Sequence, residues 1–358
     1  MTLILSNNDV EQLLTMQDVV SALEESYVEL AEGRGLSRTR SDCLVPTTYD
    51  ADAHYSLKSM DGVIPKLGIG AVRINSDIIT MPKVGNTVRR EKIPAAPNDR
   101  YVGLVLLFST HNGEPLAILP DGIMQRFRVG AASGLGVKYL ARKNAKTIGI
   151  IGSGGQAGTQ LRAACAVRDI ELIRCFSPNA ERRAAFCKQM SEVLEIDVQP
   201  ADQPETALKG ADIALCATSS EDAIFFKQWL EPGMHVGSIR NPEIEMDALR
   251  MMNRIVIHTR GVKPITEVSV DLQHEERVAD RKTPKATDVD IKKFPTIAEV
   301  IAGQASGRET DEEITCFLNN LGLGYQFAAA GAVLLRKAKG SGLGHELPTD
   351  WFTEDIRP

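Results

Sequence analysis

The sequence predicts an α/β chain in two parts, a parallel-sheet domain and a discontinuous α+β domain, on three observations. Thr147–Ile151 is a short apolar run suited to a buried strand, and it leads straight into Gly152-Ser153-Gly154-Gly155-Gln156-Ala157. From Lys146 onward, apolar runs alternate with helical periods, as in parallel strands with helices on both faces. Ahead of that point, strand-like runs are joined by His111-Asn112-Gly113-Glu114, and Asn-Gly between apolar runs is a strong hairpin signal.

Residues 9–31 repeat apolar positions at helical spacing, with Asp18 placed to cap a helix that ends near Gly33 and Gly35. Strands are expected at 54–60, 67–74 and 101–108, with a basic, proline-containing loop at 81–100 that reads as a lid, a partner contact or surface padding. Residues 123–142 form a helix rich in small residues, which permits close packing against a neighbour. Arg128 lies early in that helix, where its charge opposes the helix dipole and suits a facing anion. The parallel part then offers strands at 148–151, 171–176, 198, 211–217, 234–239 and 254–258. Residues 262–296 lack a period, and helices follow near 296–301 and 324–339. The last segment is expected to return to the first part. This gives 1–125 with 318–358 as a substrate and dimerisation domain, and 126–317 as a dinucleotide domain.

The glycine turn fits G-x-G-x-x-A at the mouth of a βαβ unit, the signature of a Rossmann-type nucleotide fold. Gly152 allows the tight turn, Gly154 the approach of a pyrophosphate, and Ala157 close packing; Gly155 and Gln156 open the helix whose free N–H groups face the anion. Ligands of such sheets bind beyond the carboxyl ends of the strands, which points to Ser177 and Asn179, Thr218, Ser219 and Ser220, and Ser238 to Asn241. An acid about 20 residues past the glycines would bind the ribose hydroxyls of NAD. None stands there. Ser177 and Asn179 suit a hydroxyl or a phosphate, and Arg182 or Arg183 a 2′-phosphate, so the cofactor is NAD or NADP, with NADP preferred. No flavin-specific feature accompanies the motif.

The apolar fraction of 43% with 25% charged residues is that of a soluble globular protein, and the formal charge of −6 gives no pull toward nucleic acid or an anionic membrane. No apolar run reaches membrane-spanning length and the first residues do not read as a secretion signal, so a cytoplasmic location is expected. The six cysteines form no CxxC pair and the six histidines show no metal-ligand spacing; buried reduced thiols and no metal are expected.

The stretches 113–142, 147–157, 211–220 and 294–317 together make the sequence resemble the ornithine cyclodeaminase/mu-crystallin family. The resemblance implies a homodimer that binds a nicotinamide dinucleotide and a small amino, imino or keto acid. By the same resemblance Arg128 holds the substrate α-carboxylate, for which a guanidinium fork is well shaped. Either Arg38 or Arg40 assists, and Arg73 stands where relatives carry a lysine. An arginine keeps its proton through the usual pH range, so Arg73 polarises or anchors and does not shuttle protons. Cyclodeaminases carry an aspartate where this chain has Ile239, followed by Arg240, and Phe327 replaces an aspartate near the last helix.

The expected chemistry is hydride transfer at the Cα–N bond of an amino or imino acid, as in an imine or ketimine reductase or an amino-acid dehydrogenase. Arg128 with Arg38 or Arg40 would hold the carboxylate, Arg73 and Arg240 would set the field around the developing charge, and His54 is the candidate proton relay beside its reading as a structural histidine. The alternatives are a cyclodeaminase using bound NAD, an opine-like synthase, and a ligand-binding protein that has kept the cofactor site.

Overall fold

A computed structural model describes residues 1–84, 87–88, 91–220, 222–240, 242–260, 265–272 and 291–355. Two sheets organise them. The parallel sheet has seven strands in the order Asp197–Pro200, Leu172–Phe176, Thr147–Ile151, Ile213–Cys216, His235–Ser238, Thr315–Leu318 and Arg254–Ile257. Strand order reverses at Thr147–Ile151, which pairs with Leu172–Phe176 on one side and Ile213–Cys216 on the other. Such a switch point opens a crevice at the carboxyl ends, where the sequence places the ligand-facing residues. Apolar clusters cover both faces: Ile148, Ile150, Leu161, Ile173 and Phe186 on one, Ile151, Phe225, Val236 and Ile255 on the other.

The second sheet contains ten described strands and is mostly antiparallel. Its centre is the pair Ala53–Ile64 and Ile69–Thr80, registered from Ala53 opposite Thr80 to Ile64 opposite Ile69. His345–Leu347 closes onto Thr2–Ile4 at one edge, so the last described segment returns to this sheet. Helices Met16–Ala31 and Tyr325–Ala338 pack on its inner face around Tyr27, Ile64, Leu107 and Leu334. Helix Gly122–Leu140 joins the two parts. A Cβ on Gly130 would lie 2.6 Å from the Thr159 carbonyl oxygen, so this small residue lets the helix lie on Gly155–Cys165.

Four expectations change. The pattern at 9–31 resolves into two helices, Asn7–Leu13 and Met16–Ala31; Thr15 caps the second, and Asp18 completes the capping box from inside the first turn. The strand expected at 67–74 spans Ile69–Thr80; its second half is hidden in the sequence because inward-facing Asn75 and Asp77 break the apolar alternation of a half-buried strand. Within the 81–100 loop, Glu91–Ile93 pairs with Ile78–Thr80; the rest of that loop lies partly outside the described residues. Ile265–Val268, from the stretch without a period, joins Ser41–Pro46. The expected division points 125/126 and 317/318 fall inside helix Gly122–Leu140 and strand Thr315–Leu318.

Candidate active site

Gly152 sits just past the first parallel strand with φ +115°, a conformation that side chains rarely adopt. A Cβ there would also lie 2.2 Å from the Ala217 carbonyl oxygen. Gly154 caps helix Gly155–Cys165, and a Cβ on either Gly154 or Gly155 would meet open space. Ala157 is buried against the sheet. Bare backbone, a helix N-terminus and open space together fit a dinucleotide diphosphate.

The groups expected around that turn divide. Ser177 Oγ lies 2.8 Å from Ser153 Oγ, so these two hydroxyls stand together at the second strand end. Asn179 is instead the N-cap of helix Ala180–Leu194, its Oδ1 accepting from the Arg182 N–H at 2.8 Å. Arg183 is buried, donating to the Ser177 carbonyl and to Asp202 at 2.7 Å each, and its guanidinium lies over Phe176. Arg182 is left exposed.

Thr218 and Ser238 are committed to a residue that the sequence does not single out. Glu243 is fully buried, and its Oε1 accepts from the Thr218 N–H at 2.7 Å and the Thr218 hydroxyl at 2.8 Å. Its Oε2 accepts from the Ser238 hydroxyl and the Ile239 N–H at 3.1 Å each. Burial pushes this carboxyl up, and the four donors oppose that shift. Arg240 donates to the Ser219 carbonyl at 3.1 Å, tying the same two strand ends together. Asn241 lies outside the described residues. Glu243→Gln replaces one acceptor with a donor, and dinucleotide Kd is expected to rise about tenfold, measured by quenching of reduced-nicotinamide fluorescence.

The arginines converge from the other sheet. Arg73 stands opposite Met60 on the inner face, buried, with Nε 2.8 Å and Nη2 2.7 Å from Asp121 Oδ2. Asn75 Nδ2 donates to the same oxygen at 2.9 Å. Arg128, 7% exposed, gives its hydrogen bonds to amide oxygens: Nε and Nη2 to Gln125 Oε1 at 3.1 and 2.7 Å, and Nη1 to Gln326 Oε1 at 3.0 Å. Both guanidinium carbons lie 5.5 Å from the Phe327 ring centre. Burial, then repulsion by Arg73, lowers the Arg128 pKa to about 9. This is a buried cation whose hydrogen bonds, among the described residues, reach no carboxylate.

Gly322 makes room for it: a Cβ there would lie 2.3 Å from Arg128 Nη1. The arginine also stands close to the parallel sheet's carboxyl edge. Asn319, just past strand Thr315–Leu318, donates its backbone N–H to the Ser238 carbonyl at 2.8 Å and its Nδ2 to the Val129 carbonyl at 3.1 Å.

Arg38 and Arg40 take different carboxylate partners. Arg38 is exposed and bonds Asp61, whereas Arg40 forks onto Asp42 at 2.7 Å through both Nε and Nη2 and adds to the positive field at Arg73 and Arg128. His54 does not join the group. It pairs with Ile79, six residues along the strand from Met60, about 20 Å at strand rise. Lys58 is buried nearer by, closed onto Asp77 at 2.6 Å, with Lys92 on the other oxygen at 2.9 Å. No group of His, Cys, Asp and Glu able to hold a metal occurs among the described residues, and no helix among them is long and apolar enough to cross a membrane.

Comparison with known proteins gives the family. A Delta(1)-pyrroline-2-carboxylate reductase of Bacillus cereus is 27% identical over 350 residues, covering 96% of this chain and 99% of that one. The solved Thermococcus litoralis Delta(1)-pyrroline-2-carboxylate reductase, in complex with NADH and L-proline, superposes with a TM-score of 0.76 at 26% identity, covering 97% of this chain and all of that one (100%). An archaeal alanine dehydrogenase, solved as a dimer with bound NAD, gives 0.75 at 26% identity, covering 97% and 99%. The profile of the ornithine cyclodeaminase/mu-crystallin family matches residues 1–341, and the chain belongs to that family.

Proposed function

We propose that the protein is a nicotinamide-dependent oxidoreductase acting on the Cα–N bond of a small amino or imino acid, working as an imino-acid reductase or amino-acid dehydrogenase. The observation that carries this reading is Arg128, a buried guanidinium with neutral partners at the carboxyl edge of a dinucleotide-type sheet. A substrate carboxylate supplies the charge it lacks. When bound, the dinucleotide gives or takes the hydride. Arg128 fixes the carboxylate, and Arg73, held by Asp121, sets the positive field beside it. The Phe327 ring, fully buried and 5.5 Å from both guanidinium carbons, favours a compact, apolar substrate side chain. Ile239 supports reduction over cyclodeamination, because a hydrocarbon side chain cannot accept a proton; the carboxylate next to it, Glu243, is spent on four loop donors.

The coenzyme is NAD or NADP. Exposed Arg182 and the missing acid favour a 2′-phosphate, whereas the two solved relatives described above carry NADH and NAD. The outer face of the antiparallel sheet exposes Val45, Leu57, Val63 and Leu104, a surface suited to a second copy of the chain. We divide the chain by function along its two sheets, the antiparallel one for substrate and dimerisation and the parallel one for the dinucleotide.

The test is loss of reduced-nicotinamide absorbance with NADH and with NADPH, over cyclic imino acids and over α-keto acids with ammonium or amines. Substrate-dependent oxidation is expected, and the faster coenzyme identifies the preference. No oxidation with any substrate contradicts the reading.

A further inference from the structure

Arg128 is reached by a buried hydrogen-bond chain that crosses both parts of the fold. Tyr27, on helix Met16–Ala31, and Gln326, on helix Tyr325–Ala338, are each fully buried, and His258, one residue past strand Arg254–Ile257, is 1% exposed. Tyr27 Oη lies 2.6 Å from His258 Nε2 and 3.1 Å from Gln326 Nε2. Gln326 Nε2 also reaches the Arg128 carbonyl at 3.2 Å, while its Oε1 accepts from Arg128 Nη1 at 3.0 Å and from the Leu323 N–H at 3.1 Å. His258 Nδ1 is bonded to the Leu321 carbonyl.

The direction of every bond follows from chemistry. A carbonyl only accepts, so His258 Nδ1 carries the hydrogen and Nε2 of the neutral ring is an acceptor. Tyr27 must then donate to His258, which leaves its oxygen to accept from Gln326. The Gln326 amide nitrogen spends one hydrogen on Tyr27 and the other on the Arg128 carbonyl, so its oxygen can only face the guanidinium and the Leu323 N–H. One amide orientation satisfies every partner. A flipped amide would set its N–H donors against Arg128 Nη1 and the Leu323 N–H, and its oxygen against the Arg128 carbonyl.

We propose that Tyr27 is a positioning residue: with His258 behind it, it locks the Gln326 amide so that its oxygen holds the Arg128 guanidinium in its carboxylate-binding orientation. The idea rests on Arg128 being the carboxylate anchor. None of the three side chains need touch the substrate. Because His258 ends a parallel strand and Tyr27 lies on a helix of the antiparallel sheet, the lock also keys the anchor to the docking of the two parts.

The test uses the full chain with Tyr27→Phe and Gln326→Leu, and two ligands followed separately. Tyr27→Phe removes only the hydroxyl. It is expected to raise KM for the imino acid, and Kd for pyruvate on the NADH-saturated protein by calorimetry, each about five- to tenfold, with Kd for NADH unchanged. Gln326→Leu, which removes the oxygen itself, is expected to raise both acid-ligand constants further and again spare NADH. A merely structural role would lower Tm and weaken acid and dinucleotide alike. Equal loss of both ligands, or wild-type constants in both variants, overturns the lock and leaves the carboxylate anchor standing. If the wild-type protein binds no pyruvate and turns over no imino acid, the anchor reading itself is wrong, and the lock falls with it.

Discussion

Arg128→Met is expected to lower kcat/KM by about 100- to 1,000-fold, almost entirely through substrate KM, while Tm stays level or rises. The two halves of this result have one cause. Burial and the nearby Arg73 both disfavour charge on Arg128, whose hydrogen bonds among the described residues reach no carboxylate; a bound substrate carboxylate would supply one. Methionine fills similar space without the charge. Its substitution leaves Gln326 Oε1 with the Leu323 N–H, and half-buried Gln125 open to water. A residue kept for structure behaves in the opposite way, losing stability before it loses affinity. Thermal unfolding and steady-state kinetics on the same preparation separate the two. A Tm several degrees lower with unchanged KM would remove Arg128 from the substrate site.

Asp121→Ala carries the second large effect, a loss of about 3–5 kcal/mol of stability, because it strands a buried guanidinium. The Arg73 and Asp121 side chains are 7% and 9% exposed, and the one carboxylate oxygen takes Arg73 Nε and Nη2 together with Asn75 Nδ2. Asp121→Asn retains an acceptor and should cost less. The double variant Asp121→Ala with Arg73→Met should regain much of the loss, since the uncompensated charge leaves with it. Urea unfolding of the wild type, Asp121→Ala, Arg73→Met and the double variant gives the coupling directly; additive losses would mean that the two side chains act separately.

What the sequence makes legible here is local. The glycine turn, the strand before it and the helix after it are consecutive, and their geometry is dictated within about a dozen residues. Arg128 is legible through its opposition to the helix dipole and through family resemblance. The residues that complete the site are not, because their partners lie far along the chain: Arg73 and Asp121 are 48 positions apart, Arg128 and Gln326 are 198, and Tyr27 and His258 are 231. Glu243 lies in a proline-flanked turn, with nothing nearby to mark it as the acceptor for two strand ends. Asn75 and Asp77 disguise the end of a strand as a loop, since polar side chains turned inward onto buried partners erase the alternation that marks burial. His54 reads as a relay from its pKa class alone, and only strand register shows its distance from the arginines. Asn179 and Arg183 suit a phosphate by type, yet Asn179 caps a helix and buried Arg183 donates to the Ser177 carbonyl and to exposed Asp202.

Net reduction of a Cα=N bond is read from the stoichiometry of nicotinamide to product. With a cyclic imino acid such as Delta(1)-pyrroline-2-carboxylate, one reduced nicotinamide should disappear for each amino acid formed, and ornithine with NAD should release no ammonia. Ammonia released from ornithine with no net change in the nicotinamide pool would contradict the account and make the protein a cyclodeaminase.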